Sequence, residues 1–274
     1  MYSTMKTKLF SFALLMVVLI FPIGAHCEVD TEISPLENKI LVTIDGGSAT
    51  KKSPIAQALA KKFNLVYVET GALYRTIAHV LIQAGIMPEP KNENTIDEFL
   101  RDAKCECFLE GWKTKFSING VCLTTKELRA EDINAKVAKY SSLFKSISDF
   151  CIKHIREVIN LEEIQKFNGI VAEGRTCGTY IFPEADVKFW FIATDSARID
   201  FRLNVEKEVD NPLERDKLDF SRTFYPVAKP ECAIEVWTSS RSMEENIALA
   251  SAFVEQKLDV KNHSRLQKPE VLLP

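Results

Sequence analysis

A run of apolar, mostly β-branched residues, Ile40 to Ile44 (ILVTI), breaks into Asp45-Gly46-Gly47 and then, from Pro54 to Phe63, into a helical pattern. Ile55, Leu59 and Phe63 recur at four-residue spacing, which lines one face of a helix. A strand that is apolar at nearly every position must be covered on both faces, and the helix that follows it is the natural cover. The pattern repeats. Leu65 to Val68 (LVYV) reads as a strand and Gly71 to Gln83 as a helix, while Ile170 to Ala172, Val187 to Ile192 and Ala233 to Trp237 read as further strands. Alternation of this kind predicts an α/β fold, a five-stranded parallel sheet with helices on both faces.

Between the second strand and the third the pattern changes. Cys105 to Leu109, Lys113 to Ile118 and Val121 to Leu123 read as short strands, with Asn119-Gly120 as a hairpin turn. A small antiparallel β insert, about 100–160 with the helical stretch that follows it, is therefore expected inside a domain spanning 28–260. Residues 261–274 are polar with two prolines and read as a loose tail.

The front of the chain is different in kind. Lys6 and Lys8 precede an uncharged stretch from Leu9 to Ala25, and small residues near Cys27 are followed by Glu28 and Asp30. This order is that of a signal peptide over 1–27, with an uncleaved membrane anchor as the alternative. The first reading predicts an exported protein, periplasmic or secreted. A non-functional leader would leave the protein cytoplasmic. Removing 1–27 takes away two lysines and no acid, so the net charge moves from −3 to −5. It also leaves six of the seven cysteines, with no Cys-x-x-Cys and no Cys/His cluster at zinc spacing. An acidic chain offers no field for nucleic acid, so no nucleic-acid partner is expected.

The junction after the first strand reads Gly46-Gly47-Ser48-Ala49-Thr50-Lys51-Lys52-Ser53, against the phosphate-loop pattern G-x-x-x-x-G-K-[ST]. Gly46, Lys52 and Ser53 fit. Lys51 stands where the pattern has its second glycine. In such a loop backbone N–H groups curl around phosphate, the lysine neutralises it and the hydroxyl helps hold magnesium, which makes Ser53 the candidate Mg ligand. If the Lys51 position requires φ > 0, a lysine there costs about 1–2 kcal/mol, and its side chain is expected to obstruct close approach.

Several segments together resemble the bacterial cytidylate kinase family of nucleoside monophosphate kinases. These are IDGGSATKKSPIAQALAKKF, ETGALYR, GIVAEGRTCGTYIFPEADVKFWFIAT, LERDKLDFSR and PECAIEVWTSS, in order over nearly all of 40–260. The resemblance implies a phosphate-loop kinase fold with the insert as its monophosphate-binding part. It implies transfer of the ATP γ-phosphate to CMP or dCMP, with Mg-ATP as cosubstrate, by a protein expected to act as a monomer. By resemblance Arg75, Arg175 and Arg222 bind the monophosphate, Thr70 sits beside it, and Arg215 and Asp219 hold the sugar. Lys52, Arg175 and Arg202 are the catalytic candidates.

The departures from the family pattern carry information too. Thr176 stands where the family has an aspartate that helps read cytosine. Ala138 falls at a base-reading serine, and an apolar or small residue near Ile147 at a base-reading arginine. The lid keeps Arg198 and Arg202 but continues through Glu206, Lys207, Glu208, Asp210 and Glu214, an acidic run poorly suited to phosphoryl transfer. Two alternatives follow: an exported protein that binds a nucleotide or phosphorylated ligand without catalysis, or a kinase for a different small phosphorylated acceptor.

Overall fold

The computed structural model describes residues 36, 39–206 and 211–266; the leader over 1–27 and the lid residues Lys207, Glu208 and Asp210 lie outside them. Five parallel strands form the centre: β1 (Ile40–Gly46), β2 (Leu65–Glu69), β6 (Gly169–Glu173), β7 (Val187–Ile192) and β8 (Ile234–Trp237). They lie in the order β2-β6-β1-β7-β8. All of β1 is buried, as its unbroken apolar pattern requires. Its neighbours are fixed by register, Ile44 opposite Glu173 on one side and Phe189 on the other.

The insert strands β3 (Cys105–Glu110), β4 (Lys113–Ile118) and β5 (Val121–Cys122) form the expected antiparallel set. They are not a separate layer. β4 joins the edge of β2 through Tyr67 and Lys113, so the described strands make one eight-stranded sheet. Nothing in the alternation of the insert announces that junction, because it depends on a single backbone pairing.

Helices cover both faces. α1 (Lys52–Phe63) starts two residues earlier than its apolar periodicity suggests, since Lys52 and Ser53 already lie in its first turn. Ile55, Ala56 and Leu59 pack under β1 with Phe189, Val236 and Val254. On the other face α2 (Thr70–Gln83) meets α3 (Glu93–Asp102) and, beyond the short α4 (Thr125–Leu128), α5 (Glu131–Leu143) and α6 (Lys145–Arg156) around Leu73, Ile77 and Tyr140. After β7 come α7 (Asp195–Asp200), wider turns over Phe201–Glu206, and α8 (Pro212–Ser221).

The final helix, α9 (Met243–Leu266), corrects the expectation of a loose tail over 261–266; residues 267–274 lie outside the described residues. Its last turns are tied down, for the Lys261 ammonium donates to the Lys39 carbonyl at 2.7 Å and pairs with Asp186 at 2.6 Å. Cys105, Cys107, Cys122, Cys151, Cys177 and Cys232 are free thiols. Among the described residues no helix is long and apolar enough to cross a membrane.

Candidate active site

The carboxyl ends of β1, β2, β6 and β7 open on one edge of the sheet, and each leads into one wall of a cleft. Openings at this edge of a parallel sheet are where α/β folds bind ligands. Of the residues singled out in the sequence, Ser48, Ala49, Thr50, Lys51, Lys52, Ser53, Thr70, Arg75, Arg175, Arg202, Arg215, Asp219 and Arg222 line this cleft. Gly46 and Gly47 lie behind it, as the turn that lets the loop form. A Cβ on Gly46 would sit 2.3 Å from the Phe191 carbonyl oxygen, at a φ of 149° that side chains avoid.

The loop itself is strained at two non-glycine positions, Ala49 with φ 57° and Lys51 with φ 64°. The glycine requirement inferred at Lys51 is therefore real. Its side chain lies at the wall of the cleft, with the ammonium donating to the Thr238 carbonyl at 3.1 Å. The Lys52 ammonium folds into its own loop, 2.5 Å from the Gly47 carbonyl and 3.3 Å from Thr50 Oγ1. Burial, then the nearby Arg175 charge, pushes the Lys52 pKa down to about 8. That is the mark of a cation that gains from an arriving anion.

Beside it, Ser53 Oγ donates to Glu173 Oε1 at 2.8 Å, and the Tyr67 hydroxyl donates to the same oxygen at 3.1 Å. Burial, then the charge of Glu69, pushes the Glu173 carboxyl above its usual range. Among the described residues no three His, Cys, Asp or Glu side chains form a metal cage. Ser53 and Glu173 instead offer the hydroxyl and single carboxylate that suit a magnesium ion carried in on phosphate oxygens. Glu173 closes the apolar run GIVAE, and its place beside Ser53 comes from the β1–β6 pairing, which spacing alone does not reveal.

The arginines converge on the opposite wall. Arg175 is half-buried and pairs with Asp216 at 2.7 Å and Asp219 at 2.9 Å. Burial alone would lower its pKa, but Asp219 and Asp216 hold it above the usual value. Asp219 also faces Arg222 at 4.0 Å, and Arg75 faces Glu69 at 3.4 Å. Arg215 differs. No carboxylate among the described residues lies within ion-pair distance of it, and its buried Nε has no hydrogen-bond partner. Burial, then the like charges of Arg175 and Arg75, pushes its pKa down.

Two further acids organise these groups, and neither was singled out by motif. Asp45, at the end of β1, accepts the Cys177 and Gly178 N–H groups, each at 2.7 Å, and so fixes the turn that carries Arg175. Burial pushes its pKa up to about 6 against those hydrogen bonds. Asp216 accepts the Ser48 N–H at 2.9 Å and pairs with both Arg175 and Arg198.

The lid corrects a second expectation. Glu206 is not an acid facing the cleft alone, for it pairs with Arg202 at 2.8 Å and Arg129 at 3.9 Å. Glu214 does not belong to the lid at all; it lies in α8 and pairs with Lys217 at 2.7 Å. Arg198 donates to the Ser48 carbonyl at 2.8 Å and Arg202 to Ser48 Oγ at 2.5 Å, so the lid arginines rest directly on the loop. At the far end, Ala138 and Thr176 line the cleft, whereas Ile147 is buried in the core and takes no part.

A parallel sheet with a phosphate loop after its central strand and arginines gathered from three other elements defines an α/β protein of the phosphate-loop kinase class. A gluconokinase structure from Sinorhizobium meliloti 1021 aligns over 84% of this chain and 98% of its own, at 12% identity and a TM-score of 0.39. The cytidylate kinase family model matches residues 42–256. Cytidylate kinase from Bacillus subtilis (strain 168) is 28% identical over 81% of this chain and 99% of its own length. The cytidylate kinase of Bacillus thuringiensis (strain Al Hakam) is 31% identical over 77% and 93%. The chain belongs to the cytidylate kinase family.

Proposed function

We propose that this protein transfers the γ-phosphoryl group of Mg-ATP to a nucleoside monophosphate, CMP or dCMP. The observation that carries the reading is Arg215, half-buried with a buried Nε that has no hydrogen-bond partner, set in range of Arg175, Arg75 and Arg202 with only Asp219 acting against them. Converging like charges in a cleft are costly until an anion arrives, and a phosphate dianion is the anion that arginine forks grip best. Family membership supports the same choice. In this reading Arg215, which the resemblance places at the sugar, joins Arg75, Arg175 and Arg222 on the acceptor phosphate. Lys52 leaves the Gly47 carbonyl for the donor phosphates, and Arg198 and Arg202 neutralise charge on the group in transfer. Ser53 and Glu173 would hold magnesium, which would supply neutralisation of phosphate charge. The test is conversion of CMP to CDP by the full chain with Mg-ATP under reducing conditions; no product at high enzyme concentration rejects the reading.

A second reading is a binding protein without catalysis. Its support is the pair of strained non-glycine residues in the loop, Ala49 and Lys51, together with Ala138 and Thr176 at the wall where the family reads cytosine. Calorimetry separates the two: CMP binding without Mg-ATP binding favours this one, and binding of both favours the kinase. A CMP, UMP and AMP panel in the turnover assay also shows whether another acceptor is preferred. We further propose export directed by residues 1–27, checked by N-terminal sequencing of the protein recovered outside the producing cell.

A further inference from the structure

Asp216 makes a set of contacts that a carboxylate in a purely structural role would not need. Its oxygens take the Ser48 N–H at 2.9 and 3.2 Å and the Arg175 guanidinium at 2.7 Å, and they pair with Arg198. One loop amide and two arginines, Arg198 from α7 and Arg175 from the turn after β6, are donors of the kind a phosphoryl group requires in transfer. The loop is shaped around this carboxylate. A Cβ on Gly47 would meet Asp216 Oδ2 at 2.5 Å and the Arg198 guanidinium at 3.2 Å, so only a residue without a side chain leaves room for both. Ser48 is held at its N–H by Asp216, at its carbonyl by Arg198 and at its hydroxyl by Arg202, which fastens the lid to the loop.

We propose that Asp216 occupies the place of the transferring phosphoryl group in the ligand-free protein, and that the donor's terminal phosphate evicts it. The proposal rests on reading the loop as the donor site. Eviction frees Arg198 for the donor and Arg175 for the acceptor in one movement, because the same carboxylate restrains both. Donor and acceptor then bind with positive coupling, and the coupling passes through Asp216. By linkage each ligand raises the other's affinity by the same factor.

The experiment is calorimetry on the full chain with CMP and the magnesium complex of the β,γ-imido analogue of ATP, each titrated alone and against saturating amounts of the other. In the unmodified protein the analogue is expected to tighten CMP binding about tenfold, within the usual range of such couplings. In Asp216→Asn the analogue alone is expected to bind about tenfold tighter than to the parent, and the coupling factor to fall to near one. Absence of positive coupling in the unmodified protein overturns the proposal without any variant, so it does not depend on how the substitution folds. A folded Asp216→Asn that keeps the coupling, or that binds the analogue more weakly, also overturns it and leaves Asp216 a structural residue. Binding of CMP with no binding of the analogue to either protein rejects the donor-site reading itself, and this proposal with it.

Discussion

Lys51 holds a φ of 64° without glycine's freedom, and its side chain recovers only one hydrogen bond, to the Thr238 carbonyl. The left-handed region costs a side-chain-bearing residue about 1–2 kcal/mol. An intramolecular hydrogen bond returns about 1 kcal/mol net. Lys51→Gly is therefore expected to change stability by less than about 1 kcal/mol in urea denaturation, in the stabilising direction. Because the ammonium is already engaged by Thr238, the substitution should shift Mg-ATP affinity less than about threefold, under about 0.7 kcal/mol. A gain of a hundredfold would mean that the side chain does block the loop. Asp45 is a sharper case. Both its oxygens accept backbone N–H groups in a fully buried place. Asp45→Asn turns one acceptor into a donor aimed at a donor, and should destabilise the protein by about 1–3 kcal/mol. The same loss should weaken CMP binding, because the Cys177 turn that presents Arg175 loses its anchor. The conformation at Lys51 was legible in the sequence from the loop pattern. Its partner, 187 residues away, was not, since only the folded β8 brings Thr238 to the loop. Asp45 was passed over for the same reason: its partners arrive from the turn after β6.

α8 carries Arg215, Asp216 and Asp219 on its inner side and Arg222 at its end, so one element supplies both cations proposed for the acceptor and the acids that pair with the arginines around them. On the proposed function this arrangement gives up stability for binding. Arg215 is half-buried beside the like charges of Arg175 and Arg75, and its removal relieves that repulsion. Arg215→Ala is expected to raise the urea midpoint slightly while weakening CMP by about 2 kcal/mol, roughly thirtyfold in Kd, as lost charge-assisted hydrogen bonds would. Calorimetry and denaturation on the same preparation check both signs; a fall in stability would show that Arg215 is a structural residue. At this scale the parallel strands and their helices followed from apolar runs and four-residue spacing. The edge junction of the insert did not, because Tyr67↔Lys113 is a backbone contact with no side-chain signature. The last turns of α9 were misread as tail because their polarity is real. Those turns are held by Lys261 on Asp186 rather than by a buried apolar stripe.

The whole chain is acidic, with a formal net charge of −3, yet its cleft concentrates arginine and lysine behind low-dielectric walls. Net charge therefore says nothing about what the cleft attracts; local placement decides it. The sheet order sets that placement, since putting β1 between β6 and β7 brings Lys52 to face both Arg175 and Glu173. The consequence is measurable as a pH dependence. In the free protein Lys52 loses its proton at about 8, lowered by burial and then by Arg175. A bound triphosphate favours the charged form and lifts that value. About a unit below the free value the ammonium is largely charged in both states and affinity for the Mg-ATP analogue should be nearly flat, falling about twofold by the free value of about 8. Above about 8 binding must recapture a proton, and affinity should fall with rising pH at a slope approaching tenfold per unit, until the bound-state pKa is reached. Calorimetry near pH 8.6 in two buffers of different ionisation enthalpy should report uptake of a proton approaching one per donor bound. Lys52→Met should bind more weakly at every pH and lose this slope. A slope that survives in the variant would assign the titration to another group, and would place the lysine outside the donor site.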